Sequence, residues 1–302
     1  MVKISAWISA ARPRTLPLSV AGILVGAATA AIENSYDNLI FWLAILTTLV
    51  LQILSNFAND YGDGVKGTDN HERLGPQRAL QSGALTDKVL KKGIIITVFI
   101  CLLSALALIY SAFGKEDFIS SFFFFLLGVA SIAAAIKYTV GNSAYGYRGL
   151  GDLFVFIFFG LVSVIGSNYL MTKSINFWLI FPATSIGLLS SAVLNLNNMR
   201  DENSDRNANK NTLVVILGKD KAKIYHFSLI IIAFLSLMIY AVFQFNSQLQ
   251  FLCFIGFVPL FIHLRKVANY SKPQSLDPEL KKVALSTFAI AILMLITQIF
   301  NF

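Results

Sequence analysis

Charge is scarce in this chain. Asp, Glu, Lys and Arg make up only 13% of its 302 residues, where a soluble domain carries about 25%. That shortage excludes a water-facing globular fold, intrinsic disorder and a long solvated coiled coil. Cysteine is limited to Cys101 and Cys253, which excludes a disulfide scaffold. Both fall inside long apolar runs and read as small packing residues. Three histidines, His71, His226 and His263, are too scattered to form a zinc motif.

What the chain has instead is apolar length. Hydrophobic residues make up 56% of it, with 26 Phe and a mean hydropathy of +0.68. A helix needs about 20 mostly apolar residues to cross hydrocarbon. Nine runs approach or reach that length: Leu16–Ile32, Leu39–Phe57, Gly93–Phe113, Phe118–Ile136, Leu153–Met171, Phe177–Leu196, Tyr225–Phe243, Leu249–Leu264 and Val283–Asn301. A membrane barrel would show alternating segments about half as long. Backbone groups in lipid must be satisfied within the segment, so the runs are expected to be helices. The fold class is therefore all-α, a polytopic membrane protein with about nine spans.

The net charge of +8 does not mark a nucleic-acid binder. Of the 24 Lys and Arg, 22 fall in the N-terminal arm and in 59–92, 137–152, 200–224 and 265–282. The alternate loops hold only Lys115 and Lys173. Basic segments stay cytoplasmic, which predicts an inner N-terminus and an outer C-terminus for nine spans. The first run is as long as a true span and no cleavage site follows it, so it reads as a span and not as a signal peptide.

The acids are distributed differently. Of 16 Asp and Glu, 12 lie in the inner segments, most of them near the ends of two spans. One cluster runs Asn56-Phe-Ala-Asn59-Asp60-Tyr61-Gly62-Asp63, continuing to Gly64, Lys66, Gly67 and Asp69; the other runs Asn195-Leu-Asn197-Asn198-Met-Arg200-Asp201, continuing to Asp205 and Arg206. Residues three and four apart share a helix face. Asn56, Asp60 and Asp63 are thus expected on one stripe, and Asn198, Asp201 and Asp205 on another. Two carboxylates ~4 Å apart repel by about 1 kcal/mol in water, and by about 4 at an effective dielectric of 20. A divalent cation reverses that sign. Mg²⁺ prefers oxygen ligands and is commonly shared between one or two carboxylates and a phosphate. Gly62, Gly64 and Gly67 are expected to end the first helix and let the chain bend over a ligand.

Cations are interleaved with these acids: Lys66, Arg73 and Arg78 after the first cluster, Arg200, Arg206 and Lys210 around the second. Lys and Arg bind phosphate oxygens that a metal leaves free. Diphosphate is the simplest ligand that two acidic clusters and several cations would share.

The two clusters resemble the signature motifs of the UbiA-type intramembrane prenyltransferases. Five segments carry the likeness in the family's order: Ala11-Arg12-Pro13-Arg14-Thr15-Leu16-Pro17; Asn59-Asp60-Tyr61-Gly62-Asp63 through Asp69; Gly75-Pro76-Gln77-Arg78 through Gln81-Ser82-Gly83; Tyr147-Arg148-Gly149-Leu150-Gly151-Asp152; and Asn198-Met199-Arg200-Asp201 with Asp205. The extended second and third segments resemble the branch that uses 1,4-dihydroxy-2-naphthoate in menaquinone synthesis. Two places depart from the family pattern. Asn209 stands where a Gly often precedes the lysine, here Lys210, and 139–146 lacks a Gly-Gly-Pro.

The resemblance implies helices around a central cavity capped by polar inner loops, in a single domain at a bacterial-type inner membrane. Two four-helix halves, about 1–140 and 141–270, plus a ninth helix are a further expectation. It implies Mg²⁺-dependent transfer of a polyprenyl group from polyprenyl diphosphate to 1,4-dihydroxy-2-naphthoate, with loss of CO₂ and diphosphate, giving demethylmenaquinone. On that reading Asn56, Asp60, Asp63, Asp69, Asn198, Asp201 and Asp205 bind the metal. Lys66, Arg78, Arg200 and Lys210 contact the diphosphate, and Arg148 holds the acceptor carboxylate. Tyr61, Tyr147 and Asp152 are further candidates at the mouth. The alternatives are a sister enzyme using 4-hydroxybenzoate or homogentisate, a membrane cation transporter, and a non-catalytic lipid-binding scaffold.

Overall fold

A computed structural model of the chain describes residues 3–69 and 73–299; His71 and the last residues of the ninth run lie outside them. An arm helix α1 (Ile4–Ala11) precedes α2 (Leu16–Ile32), α3 (Asn38–Val65), α4 (Asp87–Phe113) and α5 (Phe118–Lys137). After an irregular link come α6 (Gly151–Thr172), α7 (Phe177–Asn207), α8 (Lys219–Phe243), α9 (Gln248–Ala268) and α10 (Pro273–Ile299). The described residues contain nine helical segments long and apolar enough to cross a membrane, the first being the broken rod α1–α2. All nine expected runs lie on them over their described residues.

Helix α2 is the axis of the bundle. Every residue from Leu18 to Ala30 is buried, as expected of a helix apolar all round. It packs on α3, α6 and α10. Small residues allow the closest approach: a Cβ on Gly26 would run into the Val164 carbonyl and the Ser167 hydroxyl of α6. By contrast α4, α5 and α8 turn Phe99, Leu103, Phe122, Phe123, Ile231 and Leu235 outward. Many of the 26 Phe are accounted for by this lipid-facing surface.

Helix α6 contains a π-helical stretch, Phe156–Val162. The shortest apolar run, in α9, begins as a 3-10 helix (Gln248–Phe257) before turning α-helical. Where α8 starts, α9 ends and α10 starts, a largely buried chain of side chains ties the three helices together. His226 Nε2 lies 2.8 Å from His263 Nε2, His263 Nδ1 lies 2.6 Å from Glu279 Oε2, and Lys282 Nζ donates to Glu279 at 2.8 Å. These two histidines, 37 residues apart in sequence, are neighbours only in the folded chain.

One expectation fails. Gly62 and Gly64 do not end α3, which continues to Val65 and stops at Lys66, with Gly67 in the left-handed region at φ 72°. The two glycines serve packing instead. A Cβ on Gly62 would strike Thr139, whose hydroxyl donates to the Ala58 carbonyl at 3.0 Å, and one on Gly64 would strike Leu80. The loops after α3 and α5 can therefore lie directly against the helix.

Gly26→Val should separate α2 from α6, because the obstructing atoms include fixed backbone. Overpacking of this kind costs about 1–3 kcal/mol, to be read as a lower melting midpoint in detergent. Gly166→Ala is the control: only the Phe124 ring lies near it, at an ordinary contact distance of 3.8 Å, and its melting point should not fall.

Candidate functional site

Helices α3 and α7 outlast their apolar runs, reaching Val65 and Asn207, and so carry their acidic ends to the polar mouth of a central cavity. The cavity has a volume of about 540 Å³. Its mouth is polar, with Asn59, Asp63, Asp69, Asn198, Asp201 and Asp205 in the wall. Tyr138, Tyr145, Phe154 and Phe158 also line the cavity and form a contiguous aromatic collar. Tyr145 and Phe154 stack with centroids 3.9 Å apart, and the Tyr145 hydroxyl donates to the Ala134 carbonyl at 2.9 Å. Ile23, Leu108, Ile109 and Leu170 line the apolar part.

Lys210 links the two acidic helix ends. Its Nζ lies 3.4 Å from Asp63 Oδ2 and 3.8 Å from Asp205 Oδ1. Burial alone would lower the lysine's pKa, but Asp63 and Asp205 outweigh it and raise the pKa, so Lys210 stays charged. The Tyr147 hydroxyl donates to Asp63 Oδ1 at 2.7 Å and lies 2.6 Å from the Thr68 hydroxyl. Burial and the nearby Asp63 push Tyr147 up from its ordinary value, fixing it as a neutral donor. Asp69 pairs with Arg73 Nε at 2.9 Å and faces Arg78 Nε at 3.8 Å. Burial and Asp63 raise the Asp69 pKa; burial, with Arg12 and Arg73 adding to it, lowers that of Arg78.

The expected stripes are only partly brought together. Asn198, Asp201 and Asp205 all reach the cavity wall from α7. On α3 the stripe divides. At 3.6 residues per turn Asn59 lies about 40° from Asp63 on one side and Asp60 about 60° away on the other. Asn59, Asp63 and, beyond the helix, Asp69 reach the cavity. Asp60 turns behind its wall and accepts the Ala79 and Leu80 amides at 3.0 and 3.2 Å. Asn56 clamps the arm, donating to the Ala11 carbonyl at 2.8 Å and the Thr15 hydroxyl at 3.1 Å.

The cations divide as well. Lys210 and Arg78 line the cavity, as do Arg12 and Arg73. Arg200 lies behind the wall, 1% exposed, forked onto Asp201 at 3.0 and 2.7 Å and held by Asp277 at 2.6 Å. Lys66 is exposed, over the Tyr147 ring at 3.9 Å. Arg148 is exposed outside the cavity, its guanidinium reaching toward the Asn142 carbonyl. Asp152 is buried against Tyr225, and Tyr61 packs with the arm.

Sequence reasoning quoted Asn59 and Arg12 within motifs without giving them a role, and did not single out the rings of the aromatic collar. Asn59 was legible as the residue four before Asp63. The collar carried no signal among so many Phe and Tyr.

A hard cation suits this mouth. Among the described residues no three His, Cys, Asp or Glu converge on one point, so the side chains alone do not enclose a metal. The donors are all oxygens, however, and Asp69 Oδ2 is buried without a hydrogen-bond partner among the described residues. Such a set fits an ion that keeps several waters and shares ligand oxygens.

Known proteins share this sequence and architecture. The UbiA prenyltransferase family matches residues 19–296. A 1,4-dihydroxy-2-naphthoate octaprenyltransferase of Escherichia coli is 45% identical over 281 residues, covering 93% of this chain and 90% of its own. One from Haemophilus influenzae is 44% identical, over 96% and 94%. A UbiA homolog from Aeropyrum pernix has the same fold at a TM-score of 0.68, with 15% identity over 100% of this chain and 99% of its own. Another, from Archaeoglobus fulgidus and bound to DMAPP and Mg²⁺, superposes at 0.63, with 13% identity over 96% and 99%.

The contrast between Asp60 and Asp63 can be tested by proteolysis. Asp60→Ala should free the 76–81 turn and speed trypsin cleavage at Arg73 or Arg78 in detergent-solubilised protein. Asp63→Ala should leave that cleavage rate close to wild type. Equal rates in both variants would contradict the capping role of Asp60.

Proposed function

The chain belongs to the UbiA prenyltransferase family, and from that premise we propose that it transfers a polyprenyl group from its diphosphate to 1,4-dihydroxy-2-naphthoate, releasing diphosphate and CO₂. The observation that carries this reading is the close likeness of nearly the whole chain to two 1,4-dihydroxy-2-naphthoate octaprenyltransferases. The cavity supports it, with an acidic and cationic mouth, an aromatic collar and an apolar interior on one path. The basic segments around the mouth favour a cytoplasmic orientation for it.

Each zone has a task. Mg²⁺, held by Asp63, Asp69, Asp201 and Asp205 with Asn59 and Asn198, would neutralise charge on the diphosphate as it leaves. Lys210 and Arg73 stand among these acids and donate to diphosphate oxygens that carry the developing charge. When the allylic C–O bond breaks, diphosphate departs with the bonding pair. Tyr138, Tyr145, Phe154 and Phe158 keep water from the resulting cation and offer it π faces. The electron-rich naphthoate ring attacks the allylic carbon. Loss of CO₂ then returns its bonding pair to the ring, so a separate protein base is not needed at that step.

Purified protein in lipid nanodiscs, given a labelled polyprenyl diphosphate and Mg²⁺, should prenylate 1,4-dihydroxy-2-naphthoate in preference to 4-hydroxybenzoate or homogentisate. EDTA should abolish the product, and added Mg²⁺ should restore it. Lys210→Ala should lower kcat/KM on the order of 100-fold or more, as loss of a preorganised donor commonly does. Efficient prenylation of another acceptor, with none of the naphthoate, would overturn the substrate assignment.

A further inference from the structure

The Arg-Pro step at the end of the arm has no task in the reaction just described. Arg12 has φ 50° and ψ 68°, a left-handed conformation at the close of α1. A helix commonly ends in that conformation on glycine, and a non-glycine residue there is strained by about 1–3 kcal/mol. The chain nonetheless places an arginine at this point and directs its side chain inward.

Arg12 lies at a boundary. Together with Arg78 it lines both the main cavity and a second recess of about 270 Å³ between the arm and the 76–79 segment. Two of the polar atoms there, Arg12 Nη2 and Arg78 Nε, are buried without a hydrogen-bond partner among the described residues. A buried cation lacking full hydrogen bonding is costly. The nearby carboxylates do not satisfy these donors: Asp60 is engaged on two backbone amides, and Asp69, paired through Oδ1 with Arg73, meets Arg78 Nε only at 3.8 Å, beyond hydrogen-bond distance. The boundary therefore has a surplus of guanidinium donors.

A planar carboxylate matches the guanidinium fork. We propose that Arg12 and Arg78 form an anion subsite that takes the carboxylate of the aromatic acceptor, with the ring projecting into the main cavity. This inference rests on the naphthoate reading above. It moves Arg78 from the diphosphate to the acceptor and gives the acceptor a cation inside the cavity, where Arg148 does not reach. A diphosphate oxygen is the other anion the same donors could hold, and kinetics separates the two.

The test uses the full chain in nanodiscs, varying each substrate in turn, with calorimetric binding of 1-hydroxy-2-naphthoate and of 1-naphthol, which lacks the carboxylate. Arg12→Gln should raise the acceptor KM on the order of 10–100-fold, the range expected for a lost charged hydrogen bond, and leave the KM for polyprenyl diphosphate where it was. It should weaken 1-hydroxy-2-naphthoate binding by the same factor and spare 1-naphthol. Arg78→Gln, whose backbone is unstrained, should do likewise, and it decides the matter if Arg12→Gln does not insert. A rise in the diphosphate KM instead, or equal loss of both binding probes, would overturn the proposal. A wild type that ignores the naphthoate substrate would defeat the functional reading alone, because the binding comparison still tests the subsite.

Discussion

A charge buried near a membrane must have a partner, and the cavity mouth of this protein is organised around that requirement. Lys210 sits between Asp63 on α3 and Asp205 on α7. Without it, two carboxylates from separate helices would face each other across a desolvated gap. With it, the helices are joined at the ends that matter chemically. The lysine is placed by local backbone: its amide bonds to the Asp205 carbonyl at 2.8 Å, just after Asn209 in the left-handed conformation. Asn is among the few side chains that tolerate that region well. The departure from a glycine there leaves the turn intact.

The same requirement orders the rest of the mouth. Arg73 and Arg78 flank Asp69, and Arg200 is shared by Asp201 and Asp277, so α10 is tied to the back of the α7 cluster. These pairings hold the acids in position before a ligand arrives. A ligand bringing phosphate and metal would exchange one set of partners for another and would not need to create order. Preformed donors of this kind reduce reorganisation during the reaction.

Much of this was legible in the sequence because membrane physics leaves few choices. Apolar runs marked the helices long enough to span. The acidic clusters stood out because such residues are rare here. What was not legible depended on rotation and on contact between distant segments. Asn56, Asp60 and Asp63 are spaced for one face, yet the cavity takes Asp63 while Asp60 turns to a loop some twenty residues away. Gly62 and Gly64 looked like helix breakers because nothing local announces Thr139 or Leu80 as neighbours. His226 and His263 looked unrelated for the same reason.

Helix α3 and the α-helical part of α7, Ile180–Asn207, are each 28 residues long and carry the acidic clusters at their tips. At 1.5 Å per residue each is a rod of ~42 Å, so a change in tilt of about 5° displaces a tip by about 4 Å if the far end is fixed. Tilt is one of the ways a helix adjusts to the thickness of its bilayer. The surrounding lipid is thus part of the frame that sets the gap between the two acidic tips, and the lysine between them resists its leverage.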